Sequence, residues 1–374
     1  MRAFVKYVGL PAVLGTVLTS GAGAQSVADR LDQLTLPEGF EISIYAEVPG
    51  AREMAIAGEM GVVFVGTRSS ELYAVIDDDR DGTVDRVLTM RDDLNAPTGL
   101  AYDDGTLYVS EQHRLTRYDV SQVGADGAVY EPEVLYDKLP DRSHHGTRAT
   151  ELGPDGKIYI AIGVPCNICM PDGIEDAIIR LDRDGSNAKI FASGIRNSVG
   201  MAFHPKTGEL YFNDNGVDNM GDDSPPGEFN HAPTAGLFFG FPYYGGGHDR
   251  HREWADREPP MPVTFPAVEY QAHVAALGLA FVGGDQFPDD YINDAIVAQH
   301  GSWNRSTPIG YRLVRVRFDD QGRALDRVMF AEGWLREDGE VWGRPTDVEQ
   351  LPDGSLVVAD DYAGVLYRIT YTGN

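Results

Sequence analysis

His144, His145, Arg148, Cys166 and Cys169 fall within one stretch, Ser143–Met170, and between them offer a proton acceptor, a fixed cation and a thiol pair. A neutral imidazole takes a proton near neutral pH, and a guanidinium steadies charge on oxygen. Cys166 and Cys169 are the only cysteines, spaced C-x-x-C. Zinc would need two further ligands, and haem attachment would need His where Met170 stands. A local disulfide is the simplest reading. A second group, Arg196-Asn197, precedes an apolar run, and Asn215-Gly216-Val217-Asp218 follows it; standing alone, such an Arg-Asn pair reads equally as a turn salt bridge. A third group comprises His300, Trp303 and Arg305 in HGSWNR, with Arg344 in GRPTD. Trp303 reads either as an apolar face for a ligand or as inter-blade core. Asp77, Asp79, Asp81 and Asp85 alternate around Gly82 as oxygen ligands do in a calcium loop, and an acidic solvated turn is the alternative.

Positioning these residues requires a rigid frame, and the pattern supplies one. Thr150–Gly153, the Pro154-Asp155-Gly156 turn and the alternating Lys157–Ile162 read as a β-hairpin. Its antiparallel strands bring His144, His145 and Arg148 to the same end as Cys166 and Cys169. The same pattern of small residue, apolar run, turn and strand recurs six times: residues 53–66, 98–110, 149–163, 199–214, 276–301 and 346–361. That spacing suits four-stranded blades, and helical periodicity is nearly absent. The expected fold is all-β, a six-bladed β-propeller, with Phe40–Val48 closing the ring against the last blade. In this topology the loops before the first and after the second strand of each blade share one face. Arg68, Glu111, His113, His144, His145, Arg196, Asn215, His300, Arg305, Arg344 and Asp360 all belong to that face, and Asp77–Asp85 to the opposite one. The long insertion Phe238–Pro262 reads as a loop shaping one side of a pocket.

With 42% hydrophobic and 24% charged residues the chain is globular in composition. A formal net charge of -27 argues against nucleic acid and anionic lipid as partners. The start carries Arg2 and Lys6, an apolar run to Leu18, and Ala22-Gly23-Ala24. It reads as a signal peptide over 1–24, leaving one propeller over 25–374 that is secreted or periplasmic. The run is too short, and too interrupted by Pro11 and Gly15, to span a bilayer.

His145, Arg148, the run Gly153-Pro154-Asp155-Gly156, Cys166-Asn167-Ile168-Cys169 and the Arg196-Asn197 region together resemble the quinoprotein glucose/sorbosone dehydrogenases, in particular their sorbosone dehydrogenase-type branch. That resemblance implies pyrroloquinoline quinone (PQQ) and calcium as cofactors, and a sugar or sugar-derived aldehyde as substrate. It makes His145 the base and Arg196 the group that steadies the reduced quinone. Arg68, Arg196, Asn197, Asn215, Trp303, Arg305 and Arg344 would contact the quinone, whose carboxylates need cations and whose rings need an apolar face. The backbone carbonyls of Gly216 and Val217 would hold a bridging calcium. Electrons would leave to a soluble acceptor, a cytochrome or a quinone. Two rival readings use the same fold: a calcium-dependent lactonase, which needs carboxylates converging on a metal, and a non-catalytic binding propeller.

Overall fold

The computed structural model describes residues 26–125 and 127–373, so the expected leader over 1–24 lies outside the described residues. Each sequence repeat becomes the inner hairpin of a blade. The first blade consists of Ala51–Ala57, Val62–Thr67, Leu72–Ile76 and Arg86–Arg91 in sequential order. The second runs from Gly99–Asp103 to Glu133–Tyr136, and the third from Thr150–Leu152 to Lys189–Ser193. The fourth runs from Gly200–Phe203 to Val268–Glu269, and the fifth from Ala276–Phe281 to Ala324–Glu332. The sixth blade takes Pro345–Gln350, Leu356–Asp360 and Val365–Tyr371 from late in the chain and Phe40–Glu47 from early in it. Phe40 lies opposite Tyr371, and Glu47 opposite Val365, so the ring is closed as the pattern predicts.

Burial explains which strand sits where. Second strands such as Val62–Thr67, Ile158–Ile162 and Leu356–Asp360 are buried at every position, because neighbouring blades cover both their faces. Fourth strands such as Arg86–Arg91 and Glu133–Tyr136 are largely exposed and carry charge. Six apolar clusters fill the gaps between blades, one for each gap. Phe64 meets Tyr118 between blades one and two, and Val63 meets Leu366 between six and one. Among the described residues no helix is long and apolar enough to cross a membrane.

Residues 238–262 differ from the expected plain loop. Leu237–Phe238 adds a parallel strand to the edge of blade three, and Tyr244–Gly246 pairs with Asp249–Arg250. Phe238, Tyr243 and Trp254 give the segment its own small core, which an irregular loop would lack.

The strand registers sort the loops. Thr150 faces Ile160 and Leu152 faces Ile158, so residues before 150 and after 162 emerge together. Ile76 faces Val62, at the far end of the strand that leads to Arg68, so the Asp77–Asp85 loop lies on the opposite face.

Candidate active site

The loops at the first face enclose a cavity of about 250 Å3, with Arg52, Arg68, His145, Arg196, Asn197 and His300 in its wall. A second cavity of about 220 Å3 lies on the opposite face beside Asp77 and Arg368. There Arg368 is already tied to Asp353 and to the carbonyl of Gly82, which leaves little to recognise a ligand.

His145 is held in one orientation and one protonation state. Its backbone has φ +50°, a left-handed conformation uncommon for a residue with a side chain. Arg148 supports that turn from beneath: it is 1% exposed, and its guanidinium donates to the carbonyls of Gln112, Pro140, Thr147 and His145. Gly163 makes room, since a Cβ there would stand 2.6 Å from that of His145. The His145 Nδ1 lies 2.8 Å from the Val164 carbonyl, which can only accept, so Nδ1 carries the proton and Nε2 keeps its lone pair. Burial, then the nearby Arg196 charge, pushes its pKa down to about 3. The imidazole is therefore neutral and able to take a proton throughout the physiological range.

In an extended entry to the strand, His144 and His145 would point to opposite sides. Instead the chain turns there, with the Gly146 N–H donating to the Ser143 carbonyl, and the two rings pack with centroids 4.0 Å apart. Only His145 lines the cavity; His144 is exposed.

Arg196 is 3% exposed and almost fully engaged. Its Nε donates to the Asn167 carbonyl at 2.9 Å and its Nη1 to the Asn215 carbonyl at 3.0 Å. Its Nη2 reaches both Asn167 Oδ1 and Asp218 Oδ2 at 2.8 Å. Four of the five guanidinium N–H groups are thereby used, leaving one on Nη1 for the cavity. The backbone N–H groups of Arg196 and Asn197 both donate to the buried Asp214 carboxylate. Asn167 belongs to the Cys166–Cys169 loop, which is a disulfide as expected. So small a ring adds only about 2 kcal/mol by restricting the unfolded chain.

Across the cavity, Asp361 bridges Arg52 at 2.9 Å and His300 Nε2 at 2.9 Å. Burial raises the Asp361 pKa, but the hydrogen bond from His300 and the Arg52 charge outweigh it and hold the carboxyl well below its usual range. Arg68 makes no hydrogen bond or ion pair among the described residues. Three guanidiniums, Arg52, Arg68 and Arg196, thus face the cavity against one carboxylate in its wall, Asp218, while Asp361 pairs with the lining residues Arg52 and His300. In a chain of net charge -27 this is a local excess of positive charge, suited to an anionic guest.

The structure gathers Arg68, His145, Arg196, Asn197, Asn215, Gly216, His300 and Trp303 around the cavity. Trp303 is 72% exposed, at the mouth rather than in an inter-blade core. Arg305 and Arg344 lie outside the lining. Arg305 is tied to Asp223 and to the Asp222 carbonyl, and Arg344 lies over the rings of Tyr311 and Tyr362. Glu111 pairs with Arg114, and Asp360 caps a turn by accepting from Tyr362 and Ala363. Asp77, Asp79 and Asp85 bring ligand atoms within 4.8 Å of one another, while the exposed Asp81 lies outside that group and accepts from the Thr83 N–H. Sequence reasoning did not single out Arg52, Asn167, Asp218, His273 or Asp361. Of these, Asn167 sat between the cysteines and Asp218 at the end of the Asn215–Asp218 run.

Residues 100–368 match the family model for glucose / sorbosone dehydrogenase. The chain belongs to that family. In this family member the blade hairpins place the loops they carry around a basic cavity. A Borreliella burgdorferi protein whose own activity is uncharacterised is 32% identical over 90% of this chain and 91% of its own. Among solved structures, the holo PQQ domain of a pyranose dehydrogenase from Coprinopsis cinerea superposes with a TM-score of 0.74 at 18% identity, over 90% of this chain and 97% of that one. A PQQ-bound aldose sugar dehydrogenase from Streptomyces coelicolor gives 0.61 at 17% identity, over 90% and 100%. The apo aldose sugar dehydrogenase of Escherichia coli gives 0.67 at 16%, over 89% and 99%.

Proposed function

We propose that this chain is a PQQ-dependent dehydrogenase of a sugar or sugar-derived aldehyde or alcohol, of the sorbosone dehydrogenase type. The observation that carries the reading is the neutral, single-tautomer His145 beside Arg196 in a cation-rich cavity of a family member. The residues fit the group. Asn197 Oδ1 and Asn304 Oδ1 are buried without partners, as polar atoms awaiting a ligand are. The Gly216 and Val217 carbonyls accept no hydrogen bond among the described residues, which suits oxygen donation to calcium. Bound there, the quinone would supply the two-electron acceptor that no side chain provides.

The protein's own part is then explicit. His145 Nε2 would take the hydroxyl proton of an alcohol, a hemiacetal or a hydrated aldehyde, while Arg52, Arg68 and the free N–H of Arg196 would hold the cofactor's anionic oxygens. The exposed Trp303 closes one side of the mouth. Arg305 and Arg344 would reach the cofactor only if they exchanged their present partners. The Asp77–Asp85 loop would hold a structural calcium far from this chemistry. We further propose export of residues 25–374 after removal of 1–24, and passage of electrons to an external cytochrome or quinone. A lactonase finds less support, because the carboxylate in the cavity wall, Asp218, is committed to Arg196. The test is titration of the purified apo protein with PQQ and calcium, followed by dye reduction with aldoses and aldehydes. Saturable binding and substrate-dependent reduction are expected; lack of saturable binding overturns the assignment.

A further inference from the structure

We infer that the Cys166–Cys169 disulfide loop is a positioning device for Arg196, acting through Asn167, and that its intactness sets how firmly the cavity holds an anionic guest. The inference deepens the function proposed above and rests on it for the identity of that guest. The geometry is reciprocal. Asn167 accepts from Arg196 Nε through its carbonyl and from Nη2 through Oδ1. The same Oδ1 accepts from the Asp218 N–H at 2.8 Å, and Asn167 Nδ2 donates to the Asp218 carbonyl at 3.0 Å. Asp218 in turn pairs with Arg196 and accepts from Asn304 Nδ2 at 3.2 Å. One side chain between two cysteines therefore fixes both the guanidinium and the carboxylate that pairs with it.

A loop of ordinary chain could not keep Asn167 in that position cheaply. It follows the buried Val164 and precedes the exposed Met170, and its flanking Cys166 and Ile168 are only partly buried, against Val164, Val217 and Phe241 and, for Ile168, against Phe238, Tyr243 and Trp254 as well. The disulfide, with Cα atoms 6.2 Å apart, closes a ring of four residues around it. Such a ring restrains little of the unfolded chain, so its effect is local rather than global. An Arg196 released from Asn167 would keep its charge but lose its aim, and a single directed N–H is what it offers the cavity. Loss of that restraint would also move charge away from His145, whose proton affinity Arg196 lowers.

The experiment uses the full exported chain, apo, with three forms: wild type, Asn167→Ala, and the double substitution Cys166→Ser with Cys169→Ser. Asn167→Asp is a control for exchange alone, since it retains the Oδ1 acceptor for Arg196 but loses the Nδ2 donor to the Asp218 carbonyl and adds a negative charge. Two quantities are read: hydrogen exchange of the Arg196 Nε–H by nitrogen-15 NMR, and affinity for PQQ with calcium. Exchange at least tenfold faster and affinity at least tenfold weaker are expected in Asn167→Ala and in the double Ser form. Asn167→Asp should recover most of the slow exchange, and melting should stay within a few degrees throughout. Unchanged exchange, within twofold, in folded Asn167→Ala and double Ser protein overturns the inference. If wild type binds no PQQ, the function reading fails, while the exchange measurement still decides whether Asn167 holds Arg196.

Discussion

Neutrality at His145 is set by its surroundings rather than by the solution. With its pKa near 3 it stays unprotonated in the folded protein down to about pH 4, although free histidine would charge near 6.5. The pH dependence of kcat/KM should therefore show no His145 limb between pH 5 and 8; a step near 6.5 that vanishes in His145→Ala would contradict this. Replacing His145 by Ala should lower turnover by roughly two to four orders of magnitude while PQQ stays bound. His144→Ala should cost far less, because that ring is exposed and only leans on its neighbour. Turnover and cofactor occupancy measured on both variants separate the two. At this scale His145, Arg196 and Asn197 were legible through their resemblance to the family's motifs, each a few residues ahead of an inner strand. Their partners were not legible: Arg52 and Asp361 meet across 309 positions, and nothing in one chain announces such a pairing.

Blades were the most readable element, since both inner strands need unbroken apolar runs between Gly- or Asp-containing turns. The segment 238–262 was not, because its order comes from three aromatic residues with no period among them. The Asp77–Asp85 loop tests the reading of faces. Asp77 is nearly buried and accepts from the Gly82 N–H at 2.8 Å, so the turn is shaped before any ion arrives. With calcium present, Asp79→Ala should lower the melting temperature by a few degrees, remove the stabilisation that added calcium gives at this loop, and leave PQQ affinity within twofold. Collapse of PQQ binding in folded Asp79→Ala protein would mean that this loop and the cavity share a face after all.

Over the whole molecule, the interior is rich in carboxyl groups held without full compensation. Burial raises Glu151, Asp176 and Glu228 to about 8 and Asp347 to about 7. The sign follows directly. A carboxyl whose folded pKa exceeds its unfolded one stabilises the fold most below the unfolded pKa, and that contribution is lost as pH rises through the folded pKa. Each such group removes up to about 1.4 kcal/mol per pH unit across its window. Between pH 7 and 8 unfolded histidines are mostly neutral, so the carboxyls dominate. Calorimetry should find the apo protein melting several degrees lower at pH 8 than at pH 7, and a rise would refute the account.

Closure of the ring by Phe40–Glu47 has a consequence for how the protein is made. That strand is synthesised before blades one to five and its partner Val365–Tyr371 after them, so those blades can assemble while the sixth waits. Until then Phe40, Ile42 and Ile44 sit on an unpaired edge, the kind of surface that recruits wrong partners. Long-range pairing of this sort is slow to form, and the newborn chain depends on whatever shields that edge during the delay.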